Sequence, residues 1–477
     1  MKNNNADMEY EAFMEEFGDL LTDDSCFVID NGMLLFYLGD ENTVEIPEGV
    51  TTIYSRAFCN NLQLLKVYIP ASVKYVGIEA FSGCENLTDV VFEEGALNNI
   101  DTGVFANCVS LREISLPGSL KRIGPHVFSG CSALEKIMLP EALRCIECGA
   151  FSGCRALRSV RLPAGLREIG AGRYADPVAV FAGCESLHTV TVAPENPCFA
   201  VRGRFLINKE TRMVQLAFPG AAELPMDPDI TGIAECAFVN NMDLINLRIP
   251  ENIVRIGRWA FFGCENLKRV SIPSGVKLIK PGAFANCPHM EAFFVDAENS
   301  FYKVQGNCLI RKDGKTLIAG CKNSSIPDDG SVTAIAAEAF YGCEGLKELR
   351  LPAGLSSVGA YAFFGCGGLE KIELPDSVRN IELFAFANCG RLETVILPRD
   401  LFSIGERAFS YNNNLKNVVF TGVVPEKIDD SAFRNCPQIR FYCNMSDINL
   451  ENMTFLSKRQ FLLNRVIEII KHPESKK

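Results

Sequence analysis

Apolar and polar positions alternate along this chain in a fixed order. In the stretch Leu116–Pro140 an apolar residue and proline open the unit. Leu120, Ile123 and Gly124 follow, then Val127-Phe128, Cys131 and Leu134, and finally Ile137-Met138-Leu139 before the next proline. The Phe of this unit recurs at 58, 81, 105, 128, 151, 181, 238, 261, 284, 340, 363, 386, 409 and 433. Ten of the thirteen spacings are 23 or 24 residues, one is 30, and two are 57 and 56. A fixed period of this size predicts stacked coils, because one coil cannot bury its apolar face alone. The end of the unit (Leu134 to Leu139) alternates like a short half-buried strand. Proline then ends it, since proline has no donor for a ladder. The opening Leu120 to Gly124 predicts a second short strand, with the glycine allowing a bend. The segment around Phe128 is too short for a full helix and predicts a tight helical turn with the ring pointing inward.

Some units match this template more fully than others. Ile249-Pro250, Ile256-Gly257, Ala260-Phe261, Cys264, Leu267, Val270 and Ile272 occupy every template position in order. This unit resembles the repeat of the BspA-like leucine-rich repeat proteins, and the resemblance runs from about Phe27 to Cys443. It implies an α/β-type repeat solenoid with one parallel strand per coil, short helical turns and β-hairpin insertions. It is specific for fold and far less so for function.

The departures from the period organise the rest. Tyr10, Phe13, Met14, Phe17, Leu20 and Leu21 recur at helical spacing among acidic residues, which predicts an N-terminal capping helix. Phe27 to Tyr37 reads as strand, Gly32 turn, strand. The seven extra residues around Gly170–Pro177 predict a rim loop. Asn196–Val214 and Asn299–Ile318 resemble one another and predict short antiparallel strands joined at glycine turns. Met453 to Lys471, with Phe461, Leu462, Val466, Ile469 and Ile470, predicts a closing helix. The expected organisation is an N-terminal cap over 1–45, a solenoid over 46–443 with insertions near 193–229 and 296–329, and a C-terminal cap and tail over 444–477.

Composition narrows the function. The net charge of −11 would repel a phosphate backbone, so nucleic acid is not an expected partner. No apolar stretch reaches the length of a membrane span. The first residues carry only Lys2 as a positive charge, with no apolar core behind it, so no signal peptide is expected. Of the twenty cysteines, eleven lie three residues after the repeat Phe, where Asn61, Asn241 and Asn412 stand in the other repeats. Both side chains can hydrogen-bond a neighbouring backbone. Stacked one per coil, about 5 Å apart, the sulfurs would be too distant to bond. Many unpaired thiols point to a reducing, cytoplasmic setting, with export by another route as the alternative.

Candidate chemistry is sparse. Asp313-Gly314-Lys315-Thr316 has the end of a phosphate-binding loop, but the upstream glycine position is Leu309, so a hairpin turn is expected. Gly170, Gly172 and Ala175 lack the strand–turn–helix context of a dinucleotide site. Cys145 and Cys148 form a lone pair without a second at metal spacing. The histidines (His126, His188, His289 and His472) are scattered. No catalytic residue, cofactor or metal is therefore expected.

What remains is surface. The residue between the last two apolar strand positions should face outward along a concave strand face. There Tyr68, Met138, Arg161, Arg248, Phe294, Arg350 and Ile396 break the polar pattern of a solvated sheet. Aromatic, Met and Arg side chains are enriched in protein interfaces, so these seven are the candidate partner-binding residues, with Arg248, Phe294 and Arg350 as preferred anchors for an acidic segment. The leading expectation is a non-catalytic, protein-binding scaffold, a monomer by default. The alternatives are a cell-surface adhesin or structural repeat protein and, less favoured, an enzyme built on the insertions.

Overall fold

The computed structural model describes residues 26–171, 179–425, 427–444 and 468–470. The chain packs as two compact units, Met1–Gly220 and Ala221–Lys477.

In the first unit the chain opens with the antiparallel strands Phe27–Asp30 and Met33–Tyr37, turned at Asn31 and Gly32, both with positive φ. The second strand starts a parallel row of short strands that runs through Thr52–Ile53, Tyr75–Val76, Asn99–Ile100, Arg122–Ile123, Cys145–Glu147 and Glu168–Ala171. The other half of each coil supplies a longer strand. These form the parallel groups Thr43–Glu45, Lys66–Ile69, Asp89–Phe92 and Glu113–Ser115, Lys136–Met138, Ser159–Leu162, Thr189–Val192. The insertion is the antiparallel trio Phe199–Arg202, Phe205–Asn208, Met213–Ala217.

The second unit repeats the plan. Its short strands Gly232–Ile233, Arg255–Ile256 and Leu278–Ile279 lie parallel, as do its longer strands Asn246–Arg248, Arg269–Ile272 and Ala292–Val295. A second antiparallel trio, Tyr302–Gln305, Cys308–Arg311 and Thr316–Ala319, then restarts the short-strand row at Ala334–Ile335. Asp313–Lys315 lie in the turn of its second hairpin, just before the strand that Thr316 opens, with the Gly314 amide donating to the Arg311 carbonyl. Both insertions therefore carry the strands that their shared sequence predicts.

The Phe segments are tight turns, and no helix occurs among the described residues. The reason lies two residues on either side of the ring. Glu79 and Gly83 both have positive φ around Phe81, which breaks a right-handed helical run. The amides of Glu79, Phe81 and Gly83 instead donate to Thr102, Val104 and Ala106 of the next coil. The turns are thus a third inter-coil ladder. The glycine after the short strand acts differently from expectation. Gly124 has no positive φ; a Cβ there would lie 2.9 Å from the backbone of Asp101, so close approach of the neighbouring coil excludes a side chain.

The helical-cap expectation is corrected in part. Glu468–Ile470, inside the expected closing helix, is a strand paired in parallel with Arg440–Asn444. The last coil otherwise ends in an unpaired edge, and a β-branched pair suits pairing there. The expected helix over Tyr10–Leu21 and residues 172–178 of the expected rim loop lie outside the described residues.

The core is built of ladders. The repeat phenyl rings stack nearly parallel, as in Phe58 on Phe81 at 4.8 Å and Phe386 on Phe409 at 5.4 Å between centroids. Tyr37 begins the ladder of the first unit on Phe58, and Phe218 meets Phe181 edge-on at its other end. Phe441 does the same against Phe433 in the second unit.

The cysteine ladder runs beside the rings. Except for Cys343, which follows the second insertion and donates to Gly320, the ladder thiols donate to the carbonyl of the repeat Phe one coil back, as in Cys84 to Phe58 at 3.0 Å, Cys264 to Phe238 at 3.2 Å and Cys389 to Phe363 at 3.2 Å. Asn412 does the same with its amide to Phe386 at 2.9 Å, which explains why Asn can replace Cys. The nineteen cysteines from Cys26 to Cys436 are free. Burial pushes the thiols of Cys84, Cys264 and Cys389 up to about 12. Because the thiolate is the nucleophile, native protein at about pH 8 should be alkylated by iodoacetamide at exposed Cys26 while the ladder stays unmodified until unfolding. Peptide mapping of the labelled protein checks this. Rapid native labelling of Cys131 or Cys264 would show that the ladder opens.

Candidate functional site: the exposed strand row

Each longer strand alternates inward and outward side chains, and parallel pairing brings the outward ones into register. In the second unit Arg248 lies opposite Ser271, which lies opposite Phe294. The inward neighbours Leu247, Val270 and Phe293 are buried, so the strands are anchored from behind. Phe294 is 53% exposed, an unusual state for a phenyl ring in a packed coil. Arg248 is exposed, and Arg269, outward on the strand between them, adds a second guanidinium. At the end of this patch Glu291 pairs with Lys322 at 3.2 Å, a bond that holds its carboxyl below the usual range. The patch is a cationic and aromatic surface on a rigid support.

Further along the second unit Glu373, Ile396, Val419 and Tyr442 share one row on adjacent strands. Ile396 is half-buried there between Glu373 and Val419, with Tyr442 at the far end. Arg350 sits elsewhere than expected. Its segment is not a strand, and it lines an open cleft of about 1010 Å³ with Asp328, Glu348, Glu373 and Asp376. The trio Tyr302–Ala319 extends the short-strand row, so of the second insertion region only Asp328, beyond that trio, lines this cleft. Phe294 and Arg350 therefore belong to different surfaces.

In the first unit Tyr68 lies in register between Glu45 and Val91, half-buried, with the Lys66 ammonium 4.7 Å from its ring centre. Met138 is 62% exposed and lies opposite Ser115. Arg161 lies opposite Thr191, but its guanidinium is engaged by Glu141 at 2.5 Å. That bond and the Ala164 amide hold the Glu141 carboxyl below the usual range. Arg161 is thereby less available to a partner than Arg248.

Sequence reasoning missed Arg269, Tyr442 and Asp328. Arg440-Phe441-Tyr442-Cys443 has the same alternation as earlier strands, so Tyr442 was within reach of the template. Asp328 lies outside any template position. A further cluster went unseen: Glu338, 3% exposed, accepts from Trp259 Nε1 at 2.7 Å and from Arg258 Nη2 at 2.5 Å. Arg258 also lies over the Trp259 ring, 3.8 Å from its centre. Gly282, in the coil between them, leaves the space through which Glu338 reaches Trp259. No group of three or more His, Cys, Asp or Glu converges for a metal among the described residues.

Stacked coils joined by parallel strand rows, a buried leucine after most of the Phe turns and an outward strand row define a leucine-rich repeat protein. The chain belongs to the BspA type leucine rich repeat family, which it matches over residues 51–188, 217–313 and 314–440. No curated protein matches it in sequence. Among solved structures it is similar to a leucine rich cell surface protein from Faecalibacterium prausnitzii, at 22% identity over 91% of this chain and 96% of that one, with a TM-score of 0.37. It is also similar to the pneumococcal vaccine antigen PcpA, at 18% identity over 92% of each chain and a TM-score of 0.45. A leucine-rich repeat protein from Eubacterium ventriosum is 19% identical over 72% of this chain and 85% of its own, with a TM-score of 0.44.

Proposed function

We propose that this protein is a non-catalytic scaffold that binds a protein partner on its outward strand residues. The observation that carries this reading is the exposed pair Arg248 and Phe294, in register on either side of Ser271, with Arg269 also outward on the middle strand and the inward residues of all three strands buried. A rigid backing reduces the entropy lost when a partner docks. Aromatic and arginine side chains are the residues that most often anchor interfaces. Two guanidiniums without an acidic side chain on the same three strand segments favour a carboxylate-bearing partner segment. The Ile396–Tyr442 row of the same unit supplies secondary apolar contacts.

The test is a partner recovered by pull-down with mass spectrometry, then its affinity for Arg248→Ala and Phe294→Ala, each shown to be folded. Loss of about 2 kcal/mol or more, close to thirtyfold in Kd, is expected for an anchor. If both variants bind like the parent while changes on the Phe turns abolish binding, the partner sits elsewhere. We place the protein in a reducing compartment, because its buried thiols serve as hydrogen-bond donors and not as bridges. Native disulfides in protein isolated from its own cells, or recovery from the envelope, would favour the surface-protein reading. No helix among the described residues is long and apolar enough to cross a membrane.

A further inference from the structure

The row of longer strands in the second unit has one interruption. Ala292–Val295 pairs with Arg269–Ile272, and Lys371–Glu373 pairs with Thr394–Leu397. The coil between them contributes Lys347–Leu351 at the same place in the repeat, yet this segment is not a strand. Among the described residues its backbone makes no ladder bond to Lys371–Glu373, whose near edge is therefore open. The Glu291 carbonyl accepts from Cys321 Sγ at 3.2 Å and from Asn323 Nδ2 at 3.4 Å, so the segment leaving the insertion lies alongside the coil of Ala292–Val295. The interruption leaves the open cleft of about 1010 Å³, with Lys347–Leu351 on one side and Lys371–Asp376 on the other.

An open strand edge is a template for another extended chain. Most natural edges are blunted or covered, whereas this one faces a recess with backbone on both sides. Its charges are not balanced: Asp328, Glu348, Glu370, Glu373 and Asp376 outnumber the cations Lys347, Arg350 and Lys371. Lys371 is moreover paired with Glu373 at 3.5 Å. We propose that this cleft binds an extended, basic segment of a partner polypeptide by strand addition to Lys371–Glu373. Main-chain bonds would supply affinity, while alternate basic side chains would meet the carboxylates and supply specificity. The inference rests on the reading of this chain as a protein-binding repeat, but it uses a surface distinct from Arg248–Phe294 and takes a partner segment of opposite charge.

The probe is a fluorescein-labelled octapeptide of alternating lysine and valine, followed by fluorescence anisotropy with the full chain. Its controls are the same peptide with glutamate for lysine and the same peptide with alternate amides N-methylated. The lysine peptide should bind at least about tenfold more tightly than either control. Peptide binding should also slow amide exchange within residues 347–351 and 371–373. Glu373→Lys combined with Asp376→Lys, both exposed positions, should lose at least about tenfold in affinity. Arg248→Ala and Phe294→Ala should leave peptide binding unchanged. The proposal is overturned if the lysine peptide does not bind, or if either control or the double variant binds as well as the parent pair. It is equally overturned if binding protects neither segment, or if it is lost in Arg248→Ala and Phe294→Ala alone. None of these outcomes touches the test of the Arg248–Phe294 patch, which is made with the natural partner.

Discussion

Replacing Phe261 with alanine should destabilise the second unit by about 3–5 kcal/mol, the range for emptying a buried aromatic site. The ring is fully buried and stacked between Phe238 at 5.1 Å and Phe284 at 5.5 Å. Its removal leaves two neighbouring rings without a face contact, and a void too well lined to collapse. Contacts in a repeat array are mostly between adjacent coils, so hydrogen exchange should accelerate most in the coils of Phe238 and Phe284. Denaturant unfolding of Phe261→Ala beside Phe294→Ala gives an internal control. Phe294 is half-exposed, and its loss should change stability by no more than about 0.5 kcal/mol. Equal midpoints for the two variants would mean that the turn ring is not core.

A comparable loss should follow from Asn299→Ala, for a polar reason. Asn299 is fully buried at the start of the second insertion, and its side chain makes four hydrogen bonds. Nδ2 donates to the carbonyls of Pro273 at 2.7 Å and Val276 at 3.1 Å, while Oδ1 accepts from the amides of Phe301 and Tyr302, both at 2.8 Å. Alanine leaves these backbone groups in a site from which water is excluded. Each unsatisfied buried group costs about 1–3 kcal/mol, so a total of about 3 kcal/mol or more is expected. Asn196 makes the same four bonds in the first unit, to Pro163, Leu166, Cys198 and Phe199. Asn196→Ala should therefore behave alike. Both losses are read from equilibrium unfolding, and a change below about 1 kcal/mol at either site would show that other groups satisfy these backbone atoms.

The two asparagines also show how far pattern reading reaches. Their flanking sequences are alike, which marked both insertions as related strand sets. Nothing in that likeness says that the asparagine itself ties the insertion to the preceding coil. The four partners are 2 to 26 residues away in sequence, and only folding brings them together. Similarly, Cys and Asn alternate at one template position, and hydrogen bonding to a neighbouring backbone was legible as the shared reason. Which carbonyl accepts became definite only when the coils were stacked.

The outward row was legible for the same reason as the fold. A strand has a side-chain period of two, so inward and outward positions follow directly from alternation. Arg248, Phe294 and Met138 are exposed as that alternation requires. Their electrostatic surroundings were not legible. Arg161 is held by Glu141, 20 residues earlier in the chain, and Arg350 stands beside carboxylates from the next coil.

By itself, the sequence determined the coil, its period, its buried ladders and the direction of each strand side chain. These depend on local alternation and on nearest neighbours one period away, and both are written in the repeat. Tertiary structure decided that the Phe turns form a ladder of their own, because positive φ at positions such as Glu79 and Gly83 directs their amides to the next coil. It also decided that Glu468–Ile470 pairs as a strand and that Lys347–Leu351 leaves the ladder. These outcomes turn on which backbone groups find partners in another coil. That depends on how insertions and chain ends seat against the array, a relation for which the repeat carries no signal.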